Sequence, residues 1–261
     1  MNLTLFKGGE PLVKRTIFFF LLSICFSPVI YKLLPDPIHT SSMALKLYGI
    51  PMSTCTARVL ACTYEKNIEV QLVPVTLAAG EHKQPSFLAK NPFGVIPVLE
   101  DGDLTLFESR AITAYLSKKY KEQGEDLLRL KGGNLKEEAM VGLWLEVESQ
   151  QYSPAITPIL YEHFFAPRRG KIPNQKVIED GLVKFEKVLD VYESRLSQSK
   201  YLAGDFYSLA DLHHLSFTLY LMRSPWASLI SSRPHVNAWW ECISSRPASQ
   251  KVIQGMTPAE K

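Results

Sequence analysis

Ser53 and Thr54 follow a short alternating run, Leu45, Lys46, Leu47 and Tyr48, and a break at Gly49 and Pro51, so a hydroxyl side chain falls where a helix begins. At a helix start the unpaired backbone N–H groups and the positive end of the dipole favour an anion. Ser53 could therefore help to hold a thiolate or a phosphate, or it could do no more than cap the helix. Ser109 opens a second predicted helix and invites the same pair of readings, its hydroxyl and backbone N–H being able to meet a carboxylate. Cys25, Cys55, Cys62 and Cys242 form no C-x-x-C pair and no metal-ligand spacing. That usage fits free thiols in a reducing compartment and argues against zinc or a disulfide framework.

The elements that must position these residues alternate at first between strand and helix. Strand 45–48 leads to a helix over 53–66, and 69–75 (EVQLVPV) reads as a second strand. After the polar turn Gly80-Glu81-His82-Lys83 come a short helix near 85–90, a turn at Asn91-Pro92-Phe93-Gly94, a strand at Val98-Leu99, a hairpin turn at Gly102 into 104–107, and a helix over 109–120. The first two strands can pair in parallel and the last two antiparallel, an order that matches the thioredoxin-like fold. A charged stretch, 121–133, reads as a linker, and strand patterns then disappear.

One apolar stripe, Ile178, Leu182, Phe185, Leu189, Tyr192 and Leu196, predicts a long helix, and Met140, Trp144 and Val147 a similar one. Pro154 and Pro158 predict bends or a break. Ser208-Leu209-Ala210-Asp211 has the form of a capping box, with Tyr207 and Leu212 placed as a staple, opening a buried helix through Leu215, Leu219 and Met222. Pro234 and Pro247 each begin a shorter helix. The expected architecture is an α/β thioredoxin-like domain over 43–122 followed by an all-α helical bundle over 132–261.

A formal net charge of +3 with acidic and basic residues interspersed gives no reason to expect nucleic acid as a partner. Residues 1–42 stand apart. Lys14-Arg15 precede an apolar run over 17–31 that is shorter than the roughly 20 residues of a membrane span. It has the positive flank of a secretory signal without an A-x-A-like cleavage site, and the low acid content of a plastid transit peptide without its Ser and Arg. Met43, two residues before the first strand, would start a compact protein of its own. The expectation is a cytoplasmic product with no membrane association, 1–42 being a targeting or disordered extension; a plastid or secretory route is the alternative if that extension is translated and functional.

The motifs GIPMSTCTARV (49–59), AAGEHK (78–83), KNPFG (90–94), PVLEDGDLTLFESRAI (97–112), KYLAGDFYSLADL (200–212) and HVNAWW (235–240) together resemble the plant phi-class glutathione S-transferases over nearly all the chain beyond the extension. The resemblance implies conjugation of the glutathione thiolate to hydrophobic electrophiles, a detoxification and stress role, and glutathione peroxidase activity toward organic hydroperoxides as a further possibility. It implies glutathione as co-substrate with no metal or other cofactor, and a homodimer in which one subunit's α/β domain meets the other's helical domain. The catalytic group is then Ser53, whose hydroxyl favours the thiolate. Lowering a thiol pKa of about 8.5 by about two units takes roughly 2.7 kcal/mol. One charge-assisted hydrogen bond of about 1.5–3 kcal/mol, helped by a helix N-terminus at up to about 1, supplies that. His82 and Lys83 match the pair at the glycine carboxylate, and Glu108 and Ser109 the pair at the γ-glutamyl end. Ile96-Pro97 matches a cis-proline turn whose preceding backbone pairs with the cysteinyl part.

Cys55 is a rival nucleophile, but related thiol–disulfide enzymes place their cysteine five residues before the helix arginine. Here that position, counted from Arg58, is Ser53, so Cys55 reads as a packing residue. The family usually reads NPFGQ where this chain has Val95, which predicts weaker glutathione binding. Met52, Leu77, Tyr161 and Phe165 match the hydrophobic substrate site, Tyr161 and Phe165 sharing a helix face; core packing is the competing reading. A non-catalytic carrier of hydrophobic ligands is the alternative function, with Val95 as its support.

Overall fold

The computed structural model describes residues 45–257; the extension over 1–42, with its targeting and disordered readings, lies outside the described residues. Strand β1 (Lys46–Gly49) alternates exposed and buried residues and pairs in parallel with β2 (Gln71–Pro74) across helix α1 (Thr54–Glu65). Antiparallel strands β3 (Val98–Asp101) and β4 (Leu104–Phe107) complete a sheet of order β2-β1-β3-β4. The second strand is shorter than the 69–75 run suggests. Short turns of helix at Leu77–Ala79 and Glu81–Lys83 and helix α2 (Pro85–Leu88) bridge β2 to β3, and α3 (Ser109–Lys119) follows β4.

The stretch 121–133 is ordered rather than loose. The Asp126 carboxylate accepts from the N–H groups of Leu130, Lys131 and Gly132, and Leu127 is buried. Helices α4 (Leu135–Val147), α5 (Ser153–Leu160) and α6 (Ala166–Arg168) then run on through two wider π-type turns, Glu148–Tyr152 and Tyr161–Phe165. At Pro154, which lacks the amide hydrogen and crowds the carbonyl four residues back, the helix widens where a bend or break was expected, closing with an i→i+5 bond from Ser153 N–H to Glu148 C=O. Pro158 sits inside α5 without breaking it, and the second wide turn, closed by Ala166 N–H to Tyr161 C=O, precedes Pro167. The inward stripe is also displaced. Val141, Trp144 and Glu148 are buried, whereas Met140 and Val147 are half-buried.

Helix α7 (Gln175–Leu196) buries Ile178, Phe185, Leu189, Tyr192 and Leu196 as its spacing predicts, Leu182 remaining half-buried. The capping box at Ser208 and Asp211 forms with both reciprocal bonds. The helix it opens is divided into α8 (Leu209–Leu212) and α9 (Leu215–Met222), because the chain tightens to an i→i+3 bond at His214. Helices α10 (Ser228–Ser231), α11 (Pro234–Ser244) and α12 (Pro247–Gly255) finish the bundle, the last two opening on their prolines. One hydrophobic core runs from α1 and α3 into the helical part, including Leu60, Ile112, Tyr152 and Leu212.

Candidate active site

Gly49 ends β1 in close contact with the first turn of α1, where a Cβ would come within 2.4 Å of Thr56 Oγ1. This approach turns the chain so that Ser53 caps α1, its Oγ accepting from Thr56 N–H at 3.3 Å. Accepting that bond uses a lone pair and leaves the hydroxyl proton free to be donated, so the capping and anion-stabilising readings are compatible. From the helical part, the Tyr220 hydroxyl donates to Met52 C=O at 2.9 Å and Ser216 Oγ donates to Thr54 C=O at 2.9 Å. Helix α9 thus grips the backbone on both sides of Ser53.

Ser53 opens onto a cleft of about 820 Å³ between the β1–α1 loop and the α5–α6 and α9 helices. Met52, Leu77 and His82 line it on one side and Tyr161 and Phe165 on the other. Phe217 and Tyr220, which sequence reasoning missed, also line it. Helix α9 is buried on nearly every face, so no periodicity reveals which of its side chains face a cavity. Cys55, read from the sequence as a packing residue of the helix, also lines the cleft and is half-buried, 4.0 Å from Arg58 Nη1. Cys62, by contrast, is fully buried, and burial pushes its thiol up to about 12.

The remaining candidates are not among the residues that line this cleft. Lys83 is exposed and its Nζ donates to Phe93 C=O at 3.1 Å. Gly94 packs so closely under the same turn that a Cβ would lie 2.8 Å from His82 C=O. Val95 is 46% exposed, with its carbonyl accepting from Asn91 Nδ2 at 2.7 Å. The Ile96-Pro97 peptide is cis. Glu108 is exposed and adopts a left-handed φ of 68°, a costly conformation for a non-glycine residue, immediately before Ser109. Burial, then Lys83 and Arg169, lower the pKa of His82, which favours the neutral ring at pH 7.

Beneath Ser109 lies a buried polar network that the sequence analysis did not foresee. Arg58 Nη1 donates to Ser109 Oγ at 2.8 Å, and its Nη2 meets Glu148 Oε1 at 3.0 Å with both side chains fully buried. Arg110 Nε donates to Glu148 Oε2 at 2.7 Å, and Ser153 Oγ donates to Glu148 Oε1 at 2.6 Å. Burial alone would raise the Glu148 carboxyl; the Arg58 charge and the Arg110 bonds overcome it and hold the group at about 2. A lone acid in register with Val141 and Trp144 on an inward stripe was the available signal.

Residues 43–118 match the family model described as glutathione S-transferase, N-terminal domain, and 152–247 match glutathione S-transferase, C-terminal domain. The chain is 54% identical over 217 residues to glutathione S-transferase F13 of Arabidopsis thaliana, covering 83% of this chain and 98% of that one. It is similar to the crystal structure of glutathione transferase F7 from Populus trichocarpa, with 63% identity, a TM-score of 0.80 and coverage of 82% and 100% of the two chains. It also resembles glutathione S-transferase I from maize in complex with an atrazine glutathione conjugate, at 46% identity and a TM-score of 0.76, covering 83% of this chain and 100% of that one.

Proposed function

Because the chain belongs to the glutathione S-transferase family, phi class, and conjugates glutathione to electrophiles, we propose that Ser53 generates the attacking thiolate and that the helical wall of the cleft holds the second substrate. The observation that carries this reading is the position of the Ser53 hydroxyl: at the N-terminus of α1, accepting from Thr56 N–H, and opening on an apolar cleft. The thiol proton leaves to solvent and the sulfur remains as an anion that accepts the Ser53 proton and feels the positive end of the helix. An electrophile resting on Met52, Leu77, Tyr161 and Phe165 then meets the sulfur at short range; in a substitution the leaving group departs to water with the bonding pair, and in an addition the displaced pair takes a proton from water. The same thiolate would attack an organic hydroperoxide, releasing the alcohol; a second glutathione would then complete the disulfide and release water.

In this reading 43–122 binds glutathione and 132–261 contributes the electrophile site. Lys83 supplies the positive charge for the glycine carboxylate, with His82 as a neutral hydrogen-bonding neighbour. Glu108 faces the ammonium of the γ-glutamyl end and Ser109 its carboxylate. Ile96 offers its backbone, and Val95 occupies the place of a usual glutamine. The relatives are named as transferases, which leaves the carrier alternative resting on Val95 alone. Ser53→Ala should lower turnover of 1-chloro-2,4-dinitrobenzene by 10-fold or more, since about 1.5–3 kcal/mol of thiolate stabilisation is removed, while the glutathione Kd changes less. Turnover retained in that variant would overturn the role.

The protein is further proposed to act as a cytoplasmic homodimer. No helix among the described residues is long and apolar enough to cross a membrane. Phe93, on the turn of the α/β part, is 66% exposed, and an apolar groove of about 590 Å³ lies between α4 and α7, lined in part by Val147, Val188 and Val191. A ring and a groove on two parts of one chain are what a two-fold pair could cover reciprocally. Phe93→Ala should shift sedimentation toward the monomer, and an unchanged dimer would exclude Phe93 as its anchor.

A further inference from the structure

Two guanidiniums, Arg168 and Arg169, line the cleft beside the neutral ring of His82, with no Asp or Glu among the described lining residues. Glutathione gives His82 a task, but it gives none to two guanidiniums on the helical wall. Arg169 Nη1 donates to the Tyr161 hydroxyl at 3.2 Å, and its guanidinium lies 5.5 Å from the centre of the Tyr161 ring. Arg168 lies 5.9 Å from the centre of the Phe165 ring. Each cation is therefore laid on one of the two aromatic rings assigned to the electrophile, with part of its ordering cost already met. Among the described residues neither arginine forms an ion pair with a carboxylate. Glu162, nearby in the chain, is engaged elsewhere, its Oε2 accepting from Asn174 N–H at 2.7 Å. The lowering of the His82 pKa by Arg169 places that guanidinium's field across the cleft.

Two exposed guanidiniums without carboxylate partners among the described residues, over an apolar floor, are matched by an anion attached to an apolar body. Resting on the reading of this cleft as the electrophile site, we propose that Arg168 and Arg169 make the enzyme selective for electrophiles that carry an anionic group, a carboxylate or a sulfonate, away from the reacting carbon. The apolar part of such a substrate stacks on Tyr161 and Phe165 while its anion meets the forks above them. The chemistry at the reacting carbon is unchanged.

The probes are 4-chloro-3,5-dinitrobenzoate and the corresponding neutral amide. In both, the C–S bond forms as the C–Cl bond breaks, chloride leaves with the bonding pair and the thiol proton goes to solvent. Each kcat/KM is divided by the rate constant of the uncatalysed reaction with glutathione. The wild-type protein should prefer the acid by roughly tenfold, the size expected of a charge-assisted contact, and the preference should shrink as salt is added. The double variant R168Q/R169Q should bring the ratio near one, and R169K, which keeps the charge, should retain most of it. Equal preference in the wild-type protein, or equal losses on both probes in the double variant, would overturn the proposal. A rise confined to the glutathione KM would also overturn it and assign the arginines to a carboxylate of glutathione. Absence of turnover on both probes would instead defeat the underlying reading of the cleft.

Discussion

Ser53 and Ser109 share a device. Each hydroxyl oxygen accepts from a donor behind it, Thr56 N–H in one case and Arg58 Nη1 in the other, so each is left with a proton to give to a ligand. The place of Ser53 was legible because the signals that fix it are local: an alternating strand, a Gly–Pro break and a hydroxyl at the first turn. Its grip by Tyr220 and Ser216 was not, since those residues lie more than 150 positions along the chain and only folding brings them together. Val95 offers a clean test at this scale. The turn around it is held by the Asn91 side chain, which donates to Val95 C=O and accepts from Phe93 N–H, so an exposed replacement should leave the backbone in place. Restoring a hydrogen bond of about 0.5–1.5 kcal/mol, Val95→Gln should lower the glutathione KM by about two- to tenfold with kcat little altered. An unchanged KM would remove Val95 from the account of glutathione binding.

At the level of elements, the junction of α1, α3, α8 and the π-type turn after α4 decides whether the site is rigid. Arg58 comes from α1, Arg110 from α3 and Glu148 from the wide turn, and the His213 carbonyl at the end of α8 accepts from Arg58 at 3.3 Å. The four strands, the long α7 and the proline-led helices were readable because each depends on a period or a terminator within one segment. This junction was not, because its members are single charged residues in otherwise apolar faces and their pairing is a tertiary event. Glu148→Gln keeps the shape but leaves two guanidiniums without their anion, one of them fully buried. Removing one partner of such a pair costs about 3–5 kcal/mol, so the urea midpoint should fall markedly. Because Arg58 also orients Ser109, the glutathione KM of the surviving folded protein should rise. Loss of stability with an unchanged KM would confine the network to a structural part.

For the whole molecule, the same buried charges set a response to acid. His213 and His214 are both buried. Thr113 Oγ1 donates to Arg110 C=O, so it accepts from His213 Nε2, which places the proton of the neutral ring on Nε2 and leaves Nδ1 bare. Burial, then the Arg58 charge, pushes His213 well below its ordinary range despite Glu148, and burial brings His214 down to about 4. A histidine whose folded pKa is depressed takes up its proton more readily when unfolded, so its contribution to stability is complete above the unfolded value of 6.5 and is lost as pH falls toward the folded one. Glu148, held at about 2, acts in the same direction at lower pH, between 4.5 and 2. Asp211 opposes them: burial raises it to about 6, so its protonation favours the folded state between 3.8 and 6. Two histidines outweigh one carboxyl, and the chain should lose about 2 kcal/mol between pH 7 and pH 5. Denaturant midpoints at fixed protein concentration should fall over that interval, and His214→Gln should flatten the fall. A midpoint that holds or rises from pH 7 to pH 5 would mean that the carboxyl, and not the histidine pair, governs the acid limb.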